Sequence, residues 1–344
     1  MEKFRGHVRS HIKKHQTVLL IVIMLFIFTS AGICINYFYT QNALTTHYQK
    51  MFEKKSLNEL ELFHSSTEDI IRNFFHQALS IQENLSQDSG LQQSIAAKDT
   101  KRMEEILNRQ RKTNQSFDAL FIFDSKGTML MVSVDNPEVK KFIGSNFAYR
   151  DYIQGPLTTK KVYIGNVYTS VFGGYNVFNI SAPLFNEKGE LVYIISGAIA
   201  LDTVTQKIHI TSQYAKFNSI LLDNQGNLLL ENGVNVKSKK NVKDSDRVVA
   251  ELLSGEKAIS DEEINYKGEK VFVQGSTINL GNNNQVYLVS YYPVAQFEDE
   301  LQSVKSELDR IYVHLAVREF VLLFISFICI IFFIKRHDRI AKEI

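Results

Sequence analysis

Two charge-free apolar runs, one near each end of the chain, dictate where everything between them can go. The first is TVLLIVIMLFIFTSAGICINYFY, Thr17 to Tyr39. At about 1.5 Å of rise per residue it is long enough to cross a bilayer core as one helix. The second is FVLLFISFICIIFFI, Phe320 to Ile334, extended backward through Ile311, Val313, Leu315 and Val317 with Arg318 and Glu319 interrupting. Arg318 is placed to snorkel or to pair with Glu319 at the interface, which gives a second span over 316–334. A cleaved signal peptide is the rival reading of the first run, but the run exceeds an ordinary h-region and no A-x-A pattern follows it. In AGIC, moreover, the bulky Ile33 precedes Cys34, where a lipoprotein needs a small residue.

Charge sets the orientation. Lys3, Arg5, Arg9, Lys13 and Lys14 precede the first run, and Lys335, Arg336, Arg339 and Lys342 follow the second. By the positive-inside rule a basic tail (1–16) and a short tail (335–344) are both cytoplasmic, and residues 40–310 lie outside the cytoplasmic membrane of a bacterial cell. The chain has 344 residues, 44% hydrophobic and 22% charged, enough for one or two sizeable cores. Its two cysteines, Cys34 and Cys329, sit inside the apolar runs, so the exported part must be held by its own core.

From Thr40 to Ser89 no proline interrupts a polar sequence with apolar residues at near-heptad steps, Leu60, Phe63, Ile70, Phe74, Ile81 and Leu85. This predicts a long amphipathic helix whose stripe either packs on its own domain or forms a seam with a second copy. A second helix follows from Leu91 to about Arg111. The period then becomes strand-like. FDALFIFDSKGTMLMVSV joins two apolar runs through Asp124-Ser125-Lys126-Gly127, and the pattern returns at Asn186-Glu187-Lys188-Gly189 and Asp223-Asn224-Gln225-Gly226. LFIFDSKGTMLM and SILLDNQGNLLL resemble each other beyond the turn, which suggests two related α+β modules in tandem, about 91–205 and 206–300. A further strand cluster runs from Tyr266 to Val294, and an exit helix over 297–315 leads into the second span.

This arrangement resembles the double Cache family of bacterial extracytoplasmic sensor domains over about Thr40 to Arg310, most specifically from Asn146 to Leu201. The resemblance implies a long membrane-emergent helix carrying two tandem PAS-like antiparallel-sheet modules, with the ligand in the membrane-distal one. Tyr149-Arg150-Asp151-Tyr152-Ile153 and Tyr168-Thr169-Ser170 are similar to the family's ligand stretches. In one subgroup arginine and aromatic residues take the carboxylate of an α-amino acid and acidic residues hold its ammonium. Arg150 fits that pattern, but Ser170 stands where an aspartate is usual, and the last acidic position falls on Ile199. A buried ammonium without a partner is costly, so a ligand with only an anionic end is favoured. Read alone, Arg150 is better taken as a residue that pairs with Asp151 or another acid and shapes its loop. With the resemblance it is the carboxylate clamp, supported by Tyr152, Tyr163, Tyr168, Ser170, Tyr175 and Asn179.

Other chemistry finds little footing. Of nine histidines only His209 falls in the strand-rich region, and no HExxH, GxSxG or CxxC occurs. Gly173-Gly174 lacks the surroundings of a phosphate loop and reads as a turn. No catalytic set, cofactor, metal or nucleic-acid partner is expected. The expectation is a dimeric membrane sensor, related to chemotaxis or two-component receptors, that binds a small carboxylate. Because only KRHDRIAKEI follows Ile334, its output lies in a separate partner, has been lost, or belongs to a chemoreceptor, histidine kinase or diguanylate cyclase whose frame ends early. The alternative from another class is a non-sensing membrane scaffold.

Overall fold

Neither proline nor glycine occurs between Gly32 and Gly90, so nothing stops a helix once the first apolar run has started one. In the computed structural model α1 accordingly runs without a break over Glu2–Ser86. The structure describes residues 2–172, 174–186, 188–208, 216–236, 240–255, 259–265, 267–281 and 284–343. They form two compact units, Leu57–Gln296 and Met1–Ser56 with Phe297–Ile344. His209, Gly173, Glu187 and Tyr266 lie outside the described residues.

The single helix expected after Gly90 is two, α2 (Ser89–Ala96) and α3 (Thr100–Asn114). Lys98 at φ +54° turns the chain between them, and Asp99 caps α3 by accepting the Arg102 N–H at 3.0 Å. The first sheet follows: β1 (Ala119–Asp124), β2 (Met129–Val134), α4 (Asp151–Thr159), β3 (Tyr163–Ile164), β4 (Tyr168–Thr169), β5 (Asn176–Phe185) and β6 (Leu191–Ala200). After α5 (Leu201–Ile208) the second sheet comprises β7 (Asn218–Leu222), β8 (Leu228–Glu231), β9 (Val234–Asn235), β10 (Ile259–Ile264), β11 (Lys270–Gly281) and β12 (Asn284–Pro293), with α6 (Arg247–Leu253) inserted before β10. The strand orders are β2-β1-β6-β5-β3, with β4 also on β5, and β10-β11-β12-β7-β8-β9. The tandem modules expected from the repeated hairpin are therefore real: β1, β2, β6 and β5 correspond to β7, β8, β12 and β11.

The turns show why the hairpin sequence recurs. Asp124 Oδ1 accepts the N–H groups of Lys126 and Thr128, at 2.9 and 2.7 Å, and Asp223 Oδ1 does the same for Gln225 and Asn227. Gly127 has φ +80°, and a Cβ there would lie 2.7 Å from the Ala148 backbone. Asn265, followed by Gly268 at φ +82°, repeats this chemistry in a segment read from sequence only as strand.

Alternation gives each sheet two apolar faces. On one face of the first sheet Leu120, Ile122, Phe178, Ile180, Ile195 and Ile199 meet Ile71, Phe74, Phe75 and Ala78 of α1. The same core continues to Leu221, Leu230, Ile278 and Leu288 of the second sheet. The α1 stripe is thus covered by its own sheets: Leu60, Phe63, Phe74 and Leu85 are buried, while Ile70 and Ile81 lie half-buried. It is not open as a seam for a second copy, and Leu62 is the one large apolar side chain left exposed between Leu57 and Ser86.

In the other unit, the last helix, α7 (Val294–Glu343), and α1 each include a stretch long and apolar enough to cross a membrane. Phe26 lies 4.5 Å from Phe327, and Gln41 Nε2 donates to Asp309 Oδ1 at 2.7 Å. Leu20, Phe28, Phe332 and Phe333 face outward, as lipid-facing side chains do.

Within the sheet unit, α1 buries one histidine. His64 Nδ1 lies 2.9 Å from Ser290 Oγ on β12, and Nε2 lies 2.9 Å from Ser276 Oγ on β11. Burial pulls its pKa from 6.5 to about 4, against the opposing pull of Glu68. The folded state therefore favours neutral His64. Its contribution is fully present above pH 6.5 and is lost as pH falls toward 4, by at most about 3 kcal/mol. The thermal midpoint of the chain should drop over that window more steeply than that of His64→Gln; parallel pH profiles would refute this assignment.

Candidate ligand site

The face of the first sheet turned away from α1 does not close completely. Ala119 and Phe121 of β1, Val134 of β2, Val177 of β5 and Ala198 of β6 form a floor. Val139, Tyr168, Ser170, Phe172, Tyr175 and Asp118 complete the walls of a narrow cavity with about 20 Å³ of accessible interior, room for one or two water molecules. Strand register explains why the space is here and not in the second module. Ile122 pairs with Ile195 as Leu221 pairs with Leu288, so Ala198 corresponds to Tyr291. Tyr291 fills the equivalent place with its ring and donates to buried Asp246 at 2.7 Å.

Arg150 immediately precedes α4 in extended geometry. Its guanidinium carbon lies 4.4 Å from the Tyr168 ring centroid and 5.0 Å from that of Tyr149. Its Nε is buried without a hydrogen-bond partner. Pairing with Asp151, the simpler reading of the sequence, is not what holds it. Asp151 accepts the Tyr152 N–H at 2.8 Å and the Asn166 N–H at 2.7 Å, one on each oxygen.

The tyrosines form a connected set. Tyr152 stacks on Tyr168 at 5.3 Å and shares a hydrogen bond with it. Burial pushes the Tyr152 pKa up to about 12, against the pull of Tyr168 and Arg150, and raises Tyr168 further still. Both are therefore neutral donors. Tyr168 donates to Asn179 Oδ1 at 2.7 Å, and Asn179 Nδ2 donates to Ser196 Oγ at 2.7 Å. Ser181 hydroxyl meets Ser196 at the same distance.

Of the residues singled out in the sequence, Tyr168, Ser170 and Tyr175 line the cavity. Arg150 and Tyr152 stand against Tyr168, and Asn179 supports it from the sheet. Tyr163 is different: its ring lies so close to Gly155 of α4 that a Cβ there would fall 2.3 Å away, which makes it a packing residue. Ile199 pairs with Phe178 in the core shared with α1 and faces away from the cavity, so it is not an acidic position of this site. The pertinent acid is Asp118, which sequence reasoning missed. An acid opening an otherwise apolar strand, in FDALFIF, was the available signal.

Asp118 accepts the Ala200 N–H at 2.6 Å and the Thr203 hydroxyl at 2.8 Å, and so ties the cavity wall to the start of α5. Burial pushes its carboxyl above the ordinary value, against those two donors. Among the described residues, no group of three or more His, Cys, Asp or Glu side chains is placed to hold a metal.

Two helix-backed antiparallel sheets, one with a narrow cavity on its far face, stand in a chain that also carries two helices long and apolar enough to cross a membrane. A Cache domain model matches residues 48–301, and the chain belongs to the Cache domain family. Over 114 residues it is 27% identical to Sporulation kinase D of Bacillus subtilis (strain 168), a stretch that is 33% of this chain and 22% of that kinase. Among solved structures it is similar to an extracellular ligand binding receptor from Desulfohalobium retbaense DSM5692, with TM-score 0.53 and 14% identity over 68% of this chain and 40% of that one. It is also similar to the ligand-binding domain of the Pseudomonas fluorescens chemoreceptor CtaA in complex with L-serine, with TM-score 0.52 and 16% identity over 70% of this chain and 99% of that one. The chain thus spans less than half the length of the kinase and of the Desulfohalobium receptor, and the structural likenesses are ones of fold.

Asp118→Ala removes the acceptor of two buried donors and should lower stability by about 1–3 kcal/mol, while Asp118→Asn, which keeps one acceptor, costs less. Thermal midpoints of the two variants check this. Equal midpoints for parent and Asp118→Ala would mean that the tie to α5 carries no stability.

Proposed function

We propose that the chain is a membrane-anchored sensor whose first sheet module, distal to the membrane, binds a small carboxylate beside Arg150 and Tyr168. In this reading both termini are cytoplasmic, and the occupied state is passed to an output partner in trans. The observation that carries it is the buried, partnerless Nε of Arg150 beside a polar-walled cavity. A guanidinium held over two tyrosine faces keeps N–H donors for a planar anion, and a carboxylate meets such donors with paired charge-assisted bonds. The Tyr152 and Tyr168 hydroxyls stay neutral and so place no negative charge against the ligand. Binding would favour one of two packings of the module, by no more than the ligand's differential affinity for them.

A second reading has its own support. Asp118 puts a carboxylate on the cavity wall, and the CtaA domain of similar fold is in complex with L-serine. With an acid in place, an α-amino acid is accommodated better than the sequence suggested. Its ammonium, however, would compete with the Ala200 and Thr203 donors for Asp118.

Both readings are separated by thermal unfolding of the full chain in lipid nanodiscs with acetate, propionate, glycine, L-alanine and ethylamine. Specific binding raises the midpoint by mass action. The carboxylate reading expects acetate or propionate to raise it, with the rise lost in Arg150→Ala and kept in Asp118→Asn. A rise with the amino acids alone, lost in both variants, would establish the second reading instead. Flat responses across the panel would overturn both and favour a scaffold.

A further inference from the structure

Phe172 is one of the side chains that line the narrow cavity. Phe172 follows β4, and its backbone is held by the bond from its N–H to Ser170 Oγ at 3.1 Å. Its ring lies 4.8 Å from Phe142, 6.0 Å from Phe121 and 6.1 Å from Phe147. Phe121 and Phe172 line the cavity together with Val134, Val139, Tyr168 and Tyr175. Yet Phe172 is only half-buried, whereas Phe121 and Phe147 beneath it are fully buried. Because the residue is not fully enclosed and its backbone is held by Ser170, rotation about its own side-chain bonds can take the ring out of the cavity while that contact stays in place.

Resting on the carboxylate reading, we propose that Phe172 is a built-in competitor for the ligand: its ring takes the place of the apolar part of the ligand, and a short-chain carboxylate displaces it. The accessible interior of about 20 Å³ holds no carboxylate larger than a water molecule or two, so any organic anion must displace a wall side chain. Phe172, Tyr168 and Tyr175 are the half-buried aromatic residues of the wall, and of the three only Phe172 has no hydroxyl to tie it in place. The other aromatic rings are fixed: Phe121 is part of β1, Phe147 is buried against Phe123, Tyr168 is bonded to Asn179 and Tyr152, and Tyr175 shares a hydrogen bond with Ser170. A site that is vacated only part of the time has an apparent affinity reduced by that fraction. Removing the ring therefore strengthens binding, whereas losing a mere packing residue or a ligand contact would weaken it.

The test is isothermal titration of the full chain in nanodiscs with acetate, propionate and butyrate, for the parent, Phe172→Ala and Phe172→Leu. The leucine variant keeps an apolar contact and guards against a misfolded alanine variant. Propionate is expected to bind Phe172→Ala about tenfold more tightly than the parent, the scale set by the packing of one half-buried aromatic ring, with Phe172→Leu between them. Butyrate should gain more than acetate, because the vacated volume accepts the longer chain. Equal or weaker binding by both variants overturns the proposal while leaving the carboxylate reading intact.

If no carboxylate binds any of the three, the carboxylate reading fails, and a probe that needs no anion site decides the competitor claim. Phenol, the shape of the removed ring, should raise the thermal midpoint of Phe172→Ala and not that of the parent. No such difference overturns the proposal. Arg150→Ala combined with Phe172→Ala should lose propionate and keep the response to phenol.

Discussion

The shared use of α1 by both sheets is the constraint on which the rest of the sheet unit depends. Apolar contacts alone would let a helix slide on a sheet by small steps, because one aliphatic contact substitutes for another at little cost. Two buried polar side chains remove that freedom. His64 engages Ser276 and Ser290 of the second sheet, and Gln82 Nε2 donates to the Ile195 carbonyl of the first sheet at 2.8 Å. A displacement along the helix axis would leave both side chains buried and unbonded at once, a larger penalty than any loss of dispersion contact. The helix is thus registered independently against each module, eighteen residues apart, and Ile195 itself adjoins Ser196, to which the Tyr168–Asn179 chain leads.

The two modules are one design with opposite outcomes. Beyond strand order, even the return segment repeats: Asn146 bridges to Thr128 and Asn241 to Asn227, and the next residue in each case donates to the turn glycine, Phe147 to Gly127 and Val242 to Gly226. What differs is which atoms fill the far face. Ala198 leaves room for a cavity where Tyr291 closes one, and the residue capping the following helix is Arg150 in one module and Asp246 in the other. Asp246 already holds both the Val249 N–H and the Tyr291 hydroxyl. The second module has therefore satisfied its own cap with its own tyrosine. The first has kept a cation and a space, at the cost of packing that its sister retains.

Local chemistry was the most legible part of the sequence. Asp-x-x-Gly and Asn-x-x-Gly turns, apolar alternation, the uninterrupted helix and the two long apolar helical stretches each follow from short-range rules that tertiary context did not override. The repeated hairpin revealed the tandem modules because turn residues cannot be exchanged without changing backbone conformation. The site was legible only in part. Tyr168, Ser170 and Tyr175, singled out by resemblance and by their polar tips, do line the cavity. Asp118, Phe172 and Ala198 were not singled out, since what joins them is strand pairing across dozens of residues. Ile199 shows the limit most sharply: in a strand, an error of one position moves a side chain to the opposite face of the sheet. The destination of the α1 stripe was likewise undecidable, because a heptad-like spacing serves a sheet and a second helix equally well.

What makes Arg150 available is less its own position than the prior engagement of its neighbours. A half-buried guanidinium near a carboxylate normally collapses onto it, because a close charge pair in a poorly solvated setting outweighs the loss of side-chain freedom. Here the adjacent acid, Asp151, is held by two backbone N–H groups, one on each oxygen. The two tyrosine faces against Arg150 offset part of its desolvation without occupying its N–H donors, as aromatic rings attract a cation through their π-electrons. Because Tyr152 and Tyr168 hold their protons far above neutral pH, they present no competing negative charge. The cation is consequently stabilised by the two rings while its Nε stays buried without a hydrogen-bond partner. In the proposed site, releasing Asp151 from its two backbone partners would offer Arg150 an internal carboxylate, so those hydrogen bonds would matter to anion binding as the arginine itself does.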